Sequence, residues 1–239
     1  MLISLSNLKK RIEYSLCQHF ASSDDVKAFC ARARKAEVGV ACLNPVNVAF
    51  SAGLLKGSGI DLSGNVGFPF GSHPVTAKVA ETRQSVKDGA TQIDMVINVG
   101  ALKSGDDRLV IDDIRAVVEA AEGRPVKTII ETWVLSQEEK VRACLLAEEA
   151  GAYMIKTTTG VRTQYIEMVN PHPKGALPED IALIKHTLKK ATKIKASGGI
   201  YTLEDVVCVL KAGADHLGVS KGEELIGAFT QAYPQGLEI

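Results

Sequence analysis

Gly151-Ala152-Tyr153-Met154-Ile155-Lys156-Thr157-Thr158-Thr159-Gly160 is the stretch on which the fold reading turns. It opens on a Gly-Ala pair, runs through a short apolar β-like segment and ends in a lysine, three hydroxyls and a glycine. The Gly-Ala pair recurs at Gly89-Ala90 and Gly213-Ala214, so 62 residues separate position 89 from 151 and 151 from 213. A period near sixty holds two βα units of about thirty residues each, the size expected when roughly 250 residues build an eight-unit barrel. Each of the three glycines follows a helical pattern, where a left-handed residue past the helix end is wanted.

Working outward, apolar β-like runs lie near 13–16, 38–43, 59–68, 91–99, 126–132, 152–156, 192–196 and 216–220. They make eight, the number a (β/α) barrel needs, although the first is the weakest and also reads as a loop. Helical patterns fill the intervals. Ser136 with Glu139 forms a capping box for a helix over 137–150, and Thr202 caps a helix ending near Ala212. No Pro/Gly/Ser-rich linker divides the chain. The expectation is a single α/β domain over residues 1–239, a TIM (β/α)8 barrel.

Five residues past the three glycines stand Asp94, Lys156 and Gly218. Alternate barrel strands contribute side chains to one inward layer, so these positions share a level on the fourth, sixth and eighth strands. Strand alternation agrees: Ile93, Met95 and Ile97 form one face, and Asp94, Val96 and Asn98 the other. A lysine at a strand end ordinarily snorkels to solvent. A lysine and an aspartate in one inward layer are instead costly to desolvate, a cost tolerated where the amine forms a Schiff base with a carbonyl substrate. A structural Asp–Lys ion pair is the other reading.

Lys195 belongs to the neighbouring seventh strand, in Lys195-Ala196-Ser197-Gly198-Gly199. Two ammonium groups in one barrel mouth repel, and the more desolvated loses its proton more easily. A lysine near its usual ~10.4 is a poor nucleophile at neutral pH, and one lowered toward ~7 is useful. Asp94 is then a candidate proton relay. Glycine-rich turns follow the seventh strand (Ser197-Gly198-Gly199) and the eighth (Gly218-Val219-Ser220-Lys221-Gly222), the two loops with which barrels often bind phosphate. The five histidines show no H-x-x-x-H or H-x-H spacing, so no metal is expected; His172, in Pro171-His172-Pro173, reads as a loop residue. Cys42 reads as a small core residue. No G-x-G-x-x-G or Walker pattern occurs, and no cofactor is expected.

The 28 basic and 28 acidic residues cancel, which argues against a nucleic-acid or membrane surface as partner. The five cysteines (Cys17, Cys30, Cys42, Cys144, Cys208) are odd in number, scattered and without C-x-x-C, as in a reducing compartment. The N-terminus lacks the order of a secretory signal, and no apolar run is long enough to span a bilayer. The expectation is a soluble, cytoplasmic protein.

The motifs together resemble those of the deoxyribose-phosphate aldolase family, class I (Schiff-base) aldolases on a TIM barrel. The stretches that carry the resemblance are Ala41-Cys42-Leu43-Asn44-Pro45, Val66-Gly67-Phe68-Pro69-Phe70-Gly71, Ile93-Asp94-Met95-Val96-Ile97-Asn98, Ile129-Ile130-Glu131-Thr132, Ile155-Lys156-Thr157-Thr158-Thr159-Gly160 and Lys195-Ala196-Ser197-Gly198-Gly199. The resemblance implies reversible cleavage of 2-deoxy-D-ribose 5-phosphate to acetaldehyde and D-glyceraldehyde 3-phosphate, without a metal or other cofactor. It implies Lys156 as the Schiff-base lysine, Lys195 as the lysine that tunes it and Asp94 as the proton relay. Lys127, Thr159, Gly160, Gly198, Gly199, Ser220, Lys221 and Ser15 become substrate- or phosphate-binding positions, and a dimer or tetramer is implied.

The sequence departs from the family pattern in three places. The usual opening I-D-H-T-L-L is Ile12-Glu13-Tyr14-Ser15-Leu16-Cys17, with Glu13 for aspartate and Ser15 for threonine. Lys221 stands where a second serine usually follows Ser220. The segment 161–175, with Arg162, Tyr165 and Pro171-His172-Pro173, is longer than usual and reads as a lid or an irregular loop. A related Schiff-base aldolase for another sugar or sugar phosphate is therefore the competing reading, and a non-catalytic sugar-phosphate binder is a third.

Overall fold

The apolar runs become eight barrel strands: Ile12–Leu16, Val40–Leu43, Asp61–Val66, Gln92–Val96, Val126–Ile129, Met154–Lys156, Lys193–Ser197 and His216–Val219. The computed structural model describes residues 2–170 and 175–239. Every neighbouring pair is parallel, and the first strand pairs with both the second and the eighth, which closes the barrel. The first run is thus a strand and not a loop. Glu13 interrupts its apolar pattern, but the carboxylate points into the closed barrel, where lysines from other strands meet it. A two-stranded antiparallel ribbon of Leu2–Ile3 with Leu237–Glu238 joins the two ends of the chain.

Helices follow the strands as the local signals dictate. Helix Gln137–Glu149 carries the Ser136/Glu139 capping box, and helix Leu203–Ala212 carries a second box from Thr202 and Asp205. A third, Ser22 with Asp25, opens helix Ser23–Ala36. Gly89, Gly151 and Gly213 have φ of 103°, 94° and 111°, the left-handed conformation that glycine adopts without strain. The 62-residue period is therefore a repeat of helix ends, each delivering the chain into the next strand. No helix among the described residues is long and apolar enough to cross a membrane.

The apolar residues lie mainly between the strands and the helices. Ile93, Met95 and Ile97 belong to this layer together with Val110, Ile114 and Val117 of helix Asp107–Ala120. The segment 161–175 is not wholly irregular. It contains helix Gln164–Val169, whose start is capped by Thr163 accepting from the Ile166 N–H. Pro171, His172 and Pro173 lie outside the described residues.

One ion pair is sealed inside this outer layer. Lys78 Nζ sits 2.6 Å from Asp113 Oδ2 and donates to the Val96 carbonyl at 2.9 Å. Burial is the larger influence on both, pushing the Asp113 carboxyl up and the Lys78 amine down. Lys78→Met leaves Asp113 buried without its counter-charge and is expected to cost about 3–5 kcal/mol. The double replacement Lys78→Met with Asp113→Leu is expected to recover most of that loss. Denaturant unfolding of the three proteins measures both effects.

Candidate active site

The barrel interior holds a network of charges. Asp94, on the fourth strand, accepts from three groups, Ser63 Oγ at 2.7 Å, Lys156 Nζ at 2.8 Å and Lys195 Nζ at 2.7 Å, and forms an ion pair with Lys127 Nζ at 3.1 Å. Glu13, on the first strand, meets Lys127 Nζ at 2.6 Å and is hydrogen-bonded by Lys195 Nζ, while His216 Nδ1 lies 3.0 Å from its other oxygen. Both carboxylates are completely buried.

Burial alone would raise both carboxyls. The ammonium groups of Lys127 and Lys195 overcome it at Glu13, and those of Lys127, Lys156 and Lys195 overcome it at Asp94, so both stay below the usual carboxylate range. Burial alone would likewise lower Lys195. Asp94 and Glu13 reverse that and hold it as a firmly charged ammonium. The three lysines differ in their ties. Lys127 and Lys195 each bridge both carboxylates, whereas the ion pair of Lys156 is with Asp94 alone. Lys156 is 5% exposed against 0% for Lys127, and its amine borders an open cavity.

That cavity, of about 330 Å³, opens at the carboxyl ends of the strands. Lys156, Lys195, Ser15, Thr159, Gly160, Gly198, Gly199 and Ser220 all line it. Three residues singled out from the sequence do not. Asp94 and Lys127 lie beneath the surface in the charge network. Lys221 is half exposed and 3.6 Å from Glu224 on its own helix, Gly222–Ala232. Cys42 is buried as expected, yet it faces into the barrel and borders the cavity.

The hydroxyls after Lys156 divide their work. Thr157 and Thr158 are fully buried, and each donates to the Ser197 carbonyl at 2.9 Å, tying the sixth strand's end to the seventh. Only Thr159 reaches the cavity. The glycines make this junction possible. A Cβ on Gly198, at φ 91°, would lie 2.3 Å from Thr158 Oγ1 and 3.3 Å from Gly160 Cα. One on Gly199 would lie 2.3 Å from Gly175 Cα. The two loops therefore stack backbone on backbone at the edge of the cavity.

Glu131 is a site residue to which the sequence assigned no role. It adopts a left-handed conformation (φ 58°, ψ 61°), a strain of about 1–3 kcal/mol for a non-glycine residue. Its carboxylate accepts from the Thr159 N–H at 3.3 Å, and burial pushes its carboxyl up. The signal was an acid directly after the apolar pair Ile129-Ile130. Among the described residues, no three or more His, Cys, Asp or Glu side chains gather to hold a metal ion.

A closed (β/α)8 barrel with an amine and a paired carboxylate at the carboxyl ends of its strands defines the class: a barrel carbon–carbon lyase. The chain belongs to the DeoC/LacD family of aldolases, whose pattern it matches over residues 9–226. It is 42% identical over 221 residues to the deoxyribose-phosphate aldolase of Alkaliphilus oremlandii, covering 92% of this chain and 95% of that one. It is 40% identical to the enzyme of the same name from Geobacillus sp., with the same two coverages. A tetrameric deoxyribose phosphate aldolase from Aeropyrum pernix superposes with a TM-score of 0.83 at 28% identity, over 96% of this chain and 93% of that one.

The charge network makes a pH prediction. Both carboxyls are held low in the folded state, so their contribution to stability is fully present above their unfolded values, near ~4. It is lost as the pH falls from there toward the folded values. Glu13→Gln removes one such group. Its unfolding free energy is expected to fall less steeply with decreasing pH than that of the wild type, in denaturant titrations between about pH 5 and about pH 3.

Proposed function

We propose that this protein is a class I aldolase that reversibly cleaves 2-deoxy-D-ribose 5-phosphate through a Schiff base on Lys156, acting as one barrel domain. The observation that carries the reading is that Lys156 alone of the three buried lysines has its ion pair with Asp94 only and presents its amine to the cavity. The free amine attacks the substrate aldehyde. Loss of water gives the iminium, which accepts the electron pair of the breaking carbon–carbon bond. D-Glyceraldehyde 3-phosphate leaves, the enamine is protonated, and hydrolysis frees acetaldehyde.

Asp94 Oδ2 touches both the reacting amine and Lys195, which suits it to moving protons during carbinolamine formation and loss. The Lys195 ammonium shares Asp94 Oδ2 with Lys156 and so holds that carboxylate in place beside the amine. Lys127 serves as a counter-charge inside the network and not as a substrate contact. The glycine-rich turns at Gly198, Gly199 and Ser220 suit the phosphate, with Gly160 packed beside them, and Ser15 and Thr159 suit substrate hydroxyls.

Two departures that favoured another sugar lie away from the cavity. Glu13 is consumed by the lysine network, and Lys221 turns toward Glu224. Helix Gln164–Val169, in the long segment after Gly160, is the feature that still favours a related Schiff-base aldolase with a different substrate. The relatives' names support the deoxyribose-phosphate assignment. A homo-oligomer is part of the proposal, supported by the tetrameric relative, and so is a cytoplasmic location, supported by five free cysteines.

Borohydride reduction in the presence of acetaldehyde tests the reading. It should leave an ethyl group on Lys156, with cleavage of 2-deoxyribose 5-phosphate in a coupled assay. An unmodified Lys156 would sink the proposal, and an adduct without turnover of that sugar phosphate would favour the related aldolase. Lys195→Leu removes the ammonium that holds Asp94 and Glu13 in place, so acetaldehyde trapping on Lys156 should slow by at least about tenfold; an unchanged trapping rate would remove its assigned role.

A further inference from the structure

The cavity wall beside Lys156 holds a pair of thiols that the reaction does not use. Cys17 follows the first barrel strand, Cys42 lies in the second, and both border the cavity. A single amide fixes them. Cys42 Sγ donates to Asn65 Oδ1 at 3.3 Å, and Asn65 Nδ2 donates to Cys17 Sγ at 3.3 Å. Asn65 is fully buried on the third strand. The Cys17 backbone is tied to the end of the second strand as well, since Asn44 Nδ2 donates to the Cys17 carbonyl at 3.2 Å. The register pairs Ser15 with Cys42, so Cys17, two residues on, stays on the same inward side.

The two sulfurs are not equivalent. The neighbouring Cys42 side chain is the largest influence on Cys17. It outweighs burial and, with the Lys156 ammonium and the Asn65 amide, lowers the Cys17 thiol to about 7. The Cys17 sulfur beside it, together with burial, holds the Cys42 thiol well above its ordinary value. An easily ionised, partly exposed thiol beside a protonated one is the arrangement that sulfur oxidation requires: one attacks, the other resolves. The remaining cysteines offer no such pairing. Burial pushes the Cys30 and Cys144 thiols up, Cys144 to about 12, and Cys208 is exposed on helix Leu203–Ala212.

We propose that Cys17 and Cys42 form an oxidation site for hydroperoxides inside the cavity, closing reversibly to a disulfide beside Lys156. The Cys17 thiolate attacks one peroxide oxygen and the O–O bond breaks. Sulfur gives up two electrons and becomes a sulfenic acid, and the other oxygen leaves with a proton as water or an alcohol. Cys42 then loses its proton and attacks the Cys17 sulfur. The S–S bond forms and the sulfenic oxygen leaves as water. The balance is two thiols and one hydroperoxide going to one disulfide, one alcohol or water, and one water. A low-molecular-weight thiol reverses it by exchange. Closure draws the sulfurs to about 2.05 Å, off the Asn65 amide, and rebuilds the wall against which Lys156 presents its amine. The effect on turnover rests on the aldolase reading; the site itself does not.

The test treats the purified protein with hydrogen peroxide, caps remaining thiols by alkylation and maps the peptides. The expected result is a Cys17–Cys42 linked peptide lighter by two hydrogens, with Cys144 still alkylated, and loss of acetaldehyde trapping on Lys156. Dithiothreitol should restore both. In Cys42→Ser the oxidation should stop at a dimedone-reactive sulfenic acid on Cys17. Cys17→Ala, whatever its untreated activity, should keep that activity after peroxide. No linked peptide, or inactivation that persists in Cys17→Ala, overturns the proposal. A linked peptide in a protein whose untreated form traps no acetaldehyde would support the oxidation site and overturn the aldolase reading instead.

Discussion

Three ammonium groups and two carboxylates share the dry interior of this barrel, and the rest of the site is arranged around their mutual attraction. Each charge alone would be expensive to bury. Together they are tolerable because each one is met by at least one opposite charge within hydrogen-bonding distance: Lys127 and Lys195 by both carboxylates, Lys156 by Asp94. The count is unequal, three amines against two acids, and the imbalance falls where water and substrate enter. Lys195 is held charged by both carboxylates, and of the two lysines that line the cavity Lys156 is the one with a single anchor. The ion-pair network is thus least complete at one strand end, that of Lys156.

The second constraint is steric. The loops that leave the sixth and seventh strands approach too closely for any Cβ at Gly198 or Gly199. Thr157 and Thr158 bind the same Ser197 carbonyl and fix that approach. Glu131, strained into a left-handed conformation, takes up the Thr159 N–H from the neighbouring fifth strand. The outcome is a tightly packed backbone rim on the cavity that Lys156 also lines. In the proposed reaction the charge network would supply the chemistry and the rim the orientation, as expected at the carboxyl ends of barrel strands.

Much of this was legible along the chain. The Gly-Ala period put Asp94, Lys156 and Gly218 in one inward layer, and Lys156 does reach Asp94. A Cβ on Gly218 would lie 3.0 Å from Lys195 Cε, as an inward position on the eighth strand requires. Other positions were not legible, for identifiable reasons. Lys127 lies in the charge network and not on the cavity, and a lysine near a strand end has no sequence mark to tell a counter-ion from a ligand. Lys221 follows Ser220 directly, but its side chain turns toward Glu224, one helical turn on. The first strand looked weak because Glu13 breaks its apolar pattern, and nothing local reveals that lysines from the fifth and seventh strands compensate it.

By itself, the sequence determined the periodic elements: seven of the eight strand runs, which glycines end helices, and which side of the fourth strand faces inward. Those properties depend on neighbours within a few residues, through alternation, capping and backbone preference. Tertiary structure alone decided the partners. Lys156 meets Asp94 across 62 residues, Lys195 meets Asp94 across 101, and Lys195 meets Glu13 across 182. Barrel closure sets those encounters, because only when the first strand pairs with the eighth does the Glu13 carboxylate enter the same enclosed volume as the lysines. Once there, desolvation makes every buried charge depend on the others, and that dependence has no local signature in the chain.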